Sequence, residues 1–175
     1  MSIALGSEAP IFELPGVDGY VHSLDEYADA KLLALVQSCN HCPYVQAWEG
    51  RLTAIASDFA YQGVRVVAIN SNDVANYPED SFEAMKKRAE QHEFSFDYLF
   101  DEDQSLARAL GSERTPEVFL FDESRKLRYH GAIDDSRDEA AVTQNYLRDA
   151  IEALLTGEEP LLSETEAVGC TVKWK

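Results

Sequence analysis

Cationic residues are scarce in this chain of 175 residues: Lys and Arg number 15 against 32 Asp and Glu, for a formal net charge of −17. A field of that sign repels phosphate backbones and anionic lipid headgroups, so neither a nucleic acid nor a membrane surface is expected as partner. No apolar run approaches the ~18 residues that a bilayer-spanning helix needs. Met1 to Glu8 lack the basic and apolar regions of a secretory signal, which makes a cytoplasmic protein the expectation. Glycine and proline number only 9 and 6 and are dispersed. No linker, internal repeat or low-complexity tract divides the chain, and no glycine-rich phosphate loop occurs. A single domain over residues 1–175 without a bound organic cofactor is therefore expected. Three cysteines, Cys39, Cys42 and Cys170, are too few for a disulfide framework. In a reducing compartment a close pair of them points to catalysis or metal binding.

What is present is enough material for a core, at 45% hydrophobic and 10% aromatic residues. A chain of this length buries roughly two-thirds of its unfolded surface. Gly6 to Leu24 reads as two short extended pieces around a turn at Gly16-Val17-Asp18-Gly19. Leu32 to Val36 and Val64 to Ile69 are short, wholly apolar runs of the kind that form strands covered on both faces. Pro43 to Phe59 places Val45, Trp48, Leu52, Ile55, Ala56 and Phe59 at helical spacing. Further helices are predicted over Ser81–Gln91, Ser105–Leu110 and Asp138–Leu155, the last with Val142 on its inner face. A short strand is predicted over Phe96–Phe100. Glu117–Phe121 and Lys126–Ile133 flank Asp122-Glu123-Ser124-Arg125 as an antiparallel hairpin. The order β-β-β-α-β-α-β-α-β-β-α implies an α/β domain with a mixed sheet covered by helices.

Chemistry concentrates at Cys39-Asn40-His41-Cys42-Pro43, between the first buried strand and the first long helix. Unpaired N–H groups and the positive end of the dipole at a helix N-terminus stabilise a thiolate over a thiol. Pro43 suits the first helical turn, where its missing N–H leaves nothing unsatisfied. The expected roles are Cys39 as exposed attacking thiolate, His41 as the charge that tunes it, and Cys42 as the more buried resolving thiol. A zinc or copper site through Cys39, His41, Cys42 and Cys170 is the rival, though the second closely spaced ligand pair is missing. A second signal is Thr115-Pro116 before a buried strand. A cis bond there would set backbone against the disulfide and offer an edge to an extended peptide.

These two signals together resemble the thioredoxin superfamily. Gly6-Ser7-Glu8-Ala9-Pro10 with the residues up to Gly16, and the long segment between Ile69 and Thr115, are similar to its AhpC/TSA, redoxin or peroxiredoxin-like branch. The resemblance covers nearly the whole chain. It implies a thioredoxin-like fold with an N-terminal hairpin and a central insertion, Cys39 and Cys42 as redox pair, and Pro116 as cis-proline. The implied activity is thiol–disulfide exchange with protein or small-molecule disulfides, supported by a thioredoxin- or glutathione-type electron donor. Peroxiredoxins carry Thr or Ser three residues before the peroxidatic cysteine and Pro four residues earlier. Here those positions hold Val36 and Leu32 relative to Cys39, or Cys39 and Leu35 relative to Cys42. Peroxide reduction is thus the alternative activity rather than the expected one. A histidine before the second cysteine also resembles the more oxidising members, which implies a disulfide less stable than that of thioredoxin.

Cys170, beside Gly169, is either a small apolar residue in a terminal strand or a third thiol that receives the disulfide. Asp73 and Glu117 are candidate proton acceptors for Cys42. Asn70 to Asp73 end a strand where α/β folds bind ligands. His22, His92 and His130 show no partner in sequence, Trp48 reads as core, and the tail ending in Trp174 is expected to dock.

Overall fold

The computed structural model describes all 175 residues. Its centre is a five-stranded mixed sheet in the order β5-β4-β3-β7-β8. Strand β3 (Leu32–Ser38) is buried at every position, as expected for a middle strand. It runs parallel to β4 (Val64–Asn70), which is parallel to β5 (Asp97–Phe100). On its other side β3 pairs antiparallel with β7 (Glu117–Phe121), and β7 with β8 (Leu127–Gly131). Ahead of the sheet, β1 (Glu13–Pro15) and β2 (Val21–Ser23) form the predicted hairpin.

Two apolar layers follow from the alternation of side chains along each strand. Leu32, Ala34 and Val36 face one side with Trp48, Leu52, Ile55 and Phe59 of helix α1 (Pro43–Phe59). Met85 of α2 (Phe82–Gln91) and Leu147, Ala150 and Ile151 of α4 (Tyr146–Leu155) join that layer. Leu33 and Leu35 face the other side, against Phe12, Leu14, Tyr27 and the two leucines of α3 (Ser105–Leu110), Leu106 and Leu110. Ser81 caps α2 by accepting the Ala84 N–H at 3.2 Å. No helix is long and apolar enough to cross a membrane.

The helix predicted from Asp138 starts eight residues late. Only a single 3-10 turn, Glu139–Ala141, forms in the first part of that stretch. Asp138 takes the Ala140 N–H, and Asp135 accepts hydrogen bonds from both the backbone N–H and the hydroxyl of Thr143. Such local side-chain bonds compete with helical ones. Val142 consequently lies outside the core, which α4 joins only from Leu147 onward.

Residues after α4 are ordered along the molecule. Ser163 and Thr165 exchange main-chain bonds with His130 on the sheet's edge strand, each at 3.0 Å. A two-residue strand, β9 (Cys170–Thr171), then pairs antiparallel with β6 (Arg114–Thr115). The docked tail and a terminal strand at Cys170 agree with the sequence reading, whereas the pairing of that strand with Arg114–Thr115 has no mark in the sequence.

Leu35→Ala, at a fully buried position, should lower the unfolding free energy by about 3 kcal/mol. Val142→Ala should change it by less than about 1 kcal/mol, because no core contact is lost. Urea denaturation of both variants checks the displaced helix start.

Candidate active site

Pro43 stands at the first position of α1, which makes Cys42 its N-cap and leaves Cys39 in the loop that precedes it. The loop is built around one carboxylate. Asp80 is fully buried, yet it accepts the backbone N–H of Asn40 at 2.7 Å and of His41 at 3.2 Å on Oδ1. Its Oδ2 accepts the Asn72 side-chain amide at 2.9 Å and bonds to the His41 ring at Nδ1. Asn40 is held in turn by Tyr98, whose hydroxyl donates to Oδ1 at 2.8 Å, and by the Glu79 carbonyl at 3.0 Å. Gln46 donates to the Asn40 carbonyl at 2.9 Å. The two residues between the cysteines are thus a rigid part of the site, and the His41 ring stacks on Tyr77.

Both thiols are buried, Cys39 at 2% exposure and Cys42 at 0%, so the expected exposed Cys39 is not found. The anion-stabilising groups also favour the other sulfur. Cys42 is pulled well below the ordinary thiol range by hydrogen bonding from Cys39, against the opposing effect of burial. Cys170, the Val45 N–H in the first turn of α1 and Thr115 add to that pull. Cys39 is pushed up by its bond to Cys42, by burial and by the charge on Asp80. Pro43 at the first helical position makes Cys42 the residue nearest the positive end of the α1 dipole and leaves Cys39 in the preceding loop. Cys170 packs against the pair and is raised, first by burial and then by Cys42.

The Thr115-Pro116 bond is cis, as expected. The Thr115 carbonyl lies 3.5 Å from Cys42 Sγ, a contact that only the neutral thiol can donate, and the Thr115 hydroxyl lies 3.8 Å from Cys39 Sγ. Glu117 lies beyond Pro116, but its carboxylate accepts the N–H groups of Glu113 and Arg114 at 2.7 and 2.9 Å. It also meets His130 Nε2 at 2.7 Å. It shapes the approach to the cis bond and does not hydrogen-bond Cys42. Asp73 caps its own turn through Ala75 and Asn76 and is likewise no partner of Cys42. The sulfur of Cys39, a His41 ring nitrogen and an Asp80 oxygen lie within 4.8 Å of one another. That is a zinc-type donor set, but both Asp80 oxygens already accept N–H groups, Oδ1 from Asn40 and His41 of the loop and Oδ2 from the Asn72 amide. A cavity of about 670 Å³, lined by Phe12, Leu14, Leu24, Phe100 and Lys175 among others, contains no cysteine.

Comparison with known proteins bears directly on this arrangement. A model of the AhpC/TSA family matches residues 5–130. The chain belongs to the AhpC/TSA family. A hypothetical protein from Sinorhizobium meliloti 1021 is 38% identical over 100% of this chain and 97% of its own, with TM-score 0.94. An uncharacterized conserved protein from Geobacillus kaustophilus is 41% identical over 98% and 93%, with TM-score 0.93. The thioredoxin domain of a thiol-disulfide oxidoreductase from Bacteroides vulgatus shares the fold at TM-score 0.60 and 18% identity over 72% and 86%. No curated protein matches the chain. The match to this AhpC/TSA chain as a thioredoxin-like, redoxin-type fold agrees with the observed sheet order.

Sequence reasoning missed Asp80 as part of this AhpC/TSA site. Asp80 precedes a helix cap and looks like ordinary N-terminal acid; nothing local marks it as facing a loop forty residues earlier. Asn70 and Asn72, expected as ligand-edge residues, instead bond the Asp80 carbonyl and carboxylate at 2.7 and 2.9 Å. His22 lies between Asp18 and Glu26, His92 lies near Glu49, and Trp48 adds to its core packing a 2.7 Å bond to Asp134. Asp80→Ala should cost about 3 kcal/mol in urea unfolding by stranding buried donors. It should also accelerate amide exchange at Asn40 and His41, whereas Asp73→Ala should cost about 1 kcal/mol and leave that exchange unchanged.

Proposed function

We propose that this AhpC/TSA protein is a thiol–disulfide oxidoreductase whose redox pair is Cys39 and Cys42. The observation that carries the reading is the convergence on Cys42 Sγ of a helix N-terminus, a neighbouring thiol and the cis Thr115-Pro116 edge. A thiolate supported by a neighbouring thiol and the first turn of a helix has the reactivity that disulfide exchange requires. The 175 residues act as one domain in a reducing compartment such as the cytoplasm.

In this mechanism Cys42 is the attacking group, the reverse of the order read from the motif. Its thiolate attacks one sulfur of a protein or small-molecule disulfide. A Cys42–substrate bond forms, and the second substrate sulfur leaves as a thiolate that takes up a proton. Cys39 then loses its proton and attacks Cys42 Sγ, which forms the Cys39–Cys42 disulfide and releases the first substrate sulfur as a thiol. Two electrons have passed from the pair to the substrate. A thioredoxin-type dithiol, or two glutathione-type thiols, returns them. His41, bonded to Asp80 at the loop, is a positioning residue for Cys39, and Pro116 shapes the edge across which substrate backbone lies.

Disulfide mapping of alkylated protein across glutathione redox buffers tests the reading. A Cys39–Cys42 disulfide titrating between about −180 and −280 mV is expected, the span of thioredoxin-fold couples, and nearer its upper end. Absence of that disulfide at every poise, with disulfide reduction unaffected by serine at both positions, would overturn it.

A further inference from the structure

The edge that an extended substrate would use is already filled by the chain itself. Strand β9 pairs antiparallel with β6, with Thr115 opposite Cys170 and Arg114 opposite Thr171. The Thr115 hydroxyl adds a 3.4 Å bond to the Cys170 carbonyl. The approach is close enough to require glycine just before it: a Cβ on Gly169 would lie 2.0 Å from the Thr115 carbonyl oxygen. Beyond the cysteine the segment is anchored at several points. Val172 N–H donates to the Glu113 carbonyl at 3.1 Å, and Lys173 N–H to Asn72 Oδ1 at 2.9 Å. The Lys173 carbonyl accepts the Asp73 N–H and the Gln104 amide, and Trp174 lies under the Arg108 guanidinium. Cys170 thereby packs on Cys39 and Cys42, in the position of a substrate thiol at the cis-proline.

We propose that the segment around Gly169-Cys170-Thr171 is a redox-operated strap, an internal substrate that closes the Thr115 edge when Cys170 is disulfide-bonded to Cys42. The proposal rests on Cys39 and Cys42 being the redox pair. From the Cys39–Cys42 disulfide left by a substrate, Cys170 loses its proton and attacks Cys42 Sγ. The Cys42–Cys170 bond forms as the Cys39–Cys42 bond breaks, and Cys39 leaves as a thiolate that takes up the proton. The number of disulfides is unchanged, so no further oxidant is needed. In the Cys42–Cys170 form a covalent bond holds β9 over the edge and external disulfides are shut out. In the Cys39–Cys42 form only main-chain and side-chain bonds hold it, and it can lift. Asn72 is common to both parts, since its amide nitrogen bonds Asp80 beneath the thiol loop while its oxygen receives Lys173 of the strap.

The test uses the full chain as Cys39→Ser and Cys170→Ser, each oxidised with oxidised glutathione, mapped for disulfides and followed by amide hydrogen exchange. Cys39→Ser should form the Cys42–Cys170 bond, and Cys170→Ser the Cys39–Cys42 bond. Exchange at Val172, whose N–H is bonded to the Glu113 carbonyl, should be at least about tenfold slower in the first than in the second, the ratio expected for one main-chain hydrogen bond. Failure of the Cys42–Cys170 bond while Cys39–Cys42 forms would overturn the strap and leave the oxidoreductase reading standing. Equal exchange in the two oxidised forms would overturn the gating. Failure of both bonds would overturn the reading beneath it as well. Gly169→Ala keeps all three thiols, and in the reduced protein it should raise the alkylation rate of Cys42 on the order of tenfold. An unchanged rate would contradict the closed edge.

Discussion

A sulfur anion can be held inside a protein only if hydrogen-bond donors replace the water it has lost. That requirement organises the region around Cys42. The Cys39 thiol, Cys170, the first turn of α1 and the Thr115 side chain support charge on this sulfur, while burial and the Thr115 carbonyl at 3.5 Å oppose it. The nearest formal negative charge, Asp80, works against charge on Cys39. Asp80 stands on the Cys39 side and α1 begins on the Cys42 side, so both bias the pair toward charge on Cys42. The proline at the start of α1 and the carboxylate under the loop, 37 residues apart in sequence, thus act on the same pair from opposite sides.

The same carboxylate ties the site to the fold. Asp80 sits between β4 and α2, so the loop of the cysteines is fastened to the elements on the far side of β3 rather than to its own helix alone. Across the site, Glu117 fastens the backbone ahead of the cis-proline by the same device, a buried carboxylate accepting two successive N–H groups. The thiols lie between two such anchored loops. The strap closes the remaining side and reaches back through Asn72 to the Asp80 cluster, so redox state, loop geometry and access to the edge are mechanically linked.

Much of this was legible in the residues. Apolar runs such as Leu32–Val36 and Val64–Ile69 mark buried strands because both faces must be covered, and α1 and α3 end where their periodicity ends. The helix start at Tyr146 was not legible: Asp135 and Asp138 hold the chain with side-chain bonds that a pattern of hydrophobic spacing does not register. At the site, the cysteine pair, the cis-proline and Cys170 stood out by residue type and placement. The assignment of roles within the pair did not, since it depends on which cysteine caps the helix and on a buried acid distant in sequence. Asp73 and Glu117 were the carboxylates read as partners of Cys42, and Asp80 was not, because only tertiary packing decides which carboxylate meets the loop. The partner of the two-residue strand at Cys170 was not legible, although Gly169 beside it permits a close backbone approach.

The most direct measurement is a titration of thiolate absorbance in the ultraviolet, on the reduced protein and on its three single cysteine-to-serine variants. A thiol with a depressed pKa keeps its anion as pH falls through the range where free cysteine, near 8.5, becomes protonated. The account predicts one thiolate persisting well below that range in the intact protein and in Cys170→Ser, lost in Cys42→Ser, and shifted toward higher pH in Cys39→Ser. Absence of any thiolate below the range of free cysteine, or its survival in Cys42→Ser, would contradict it.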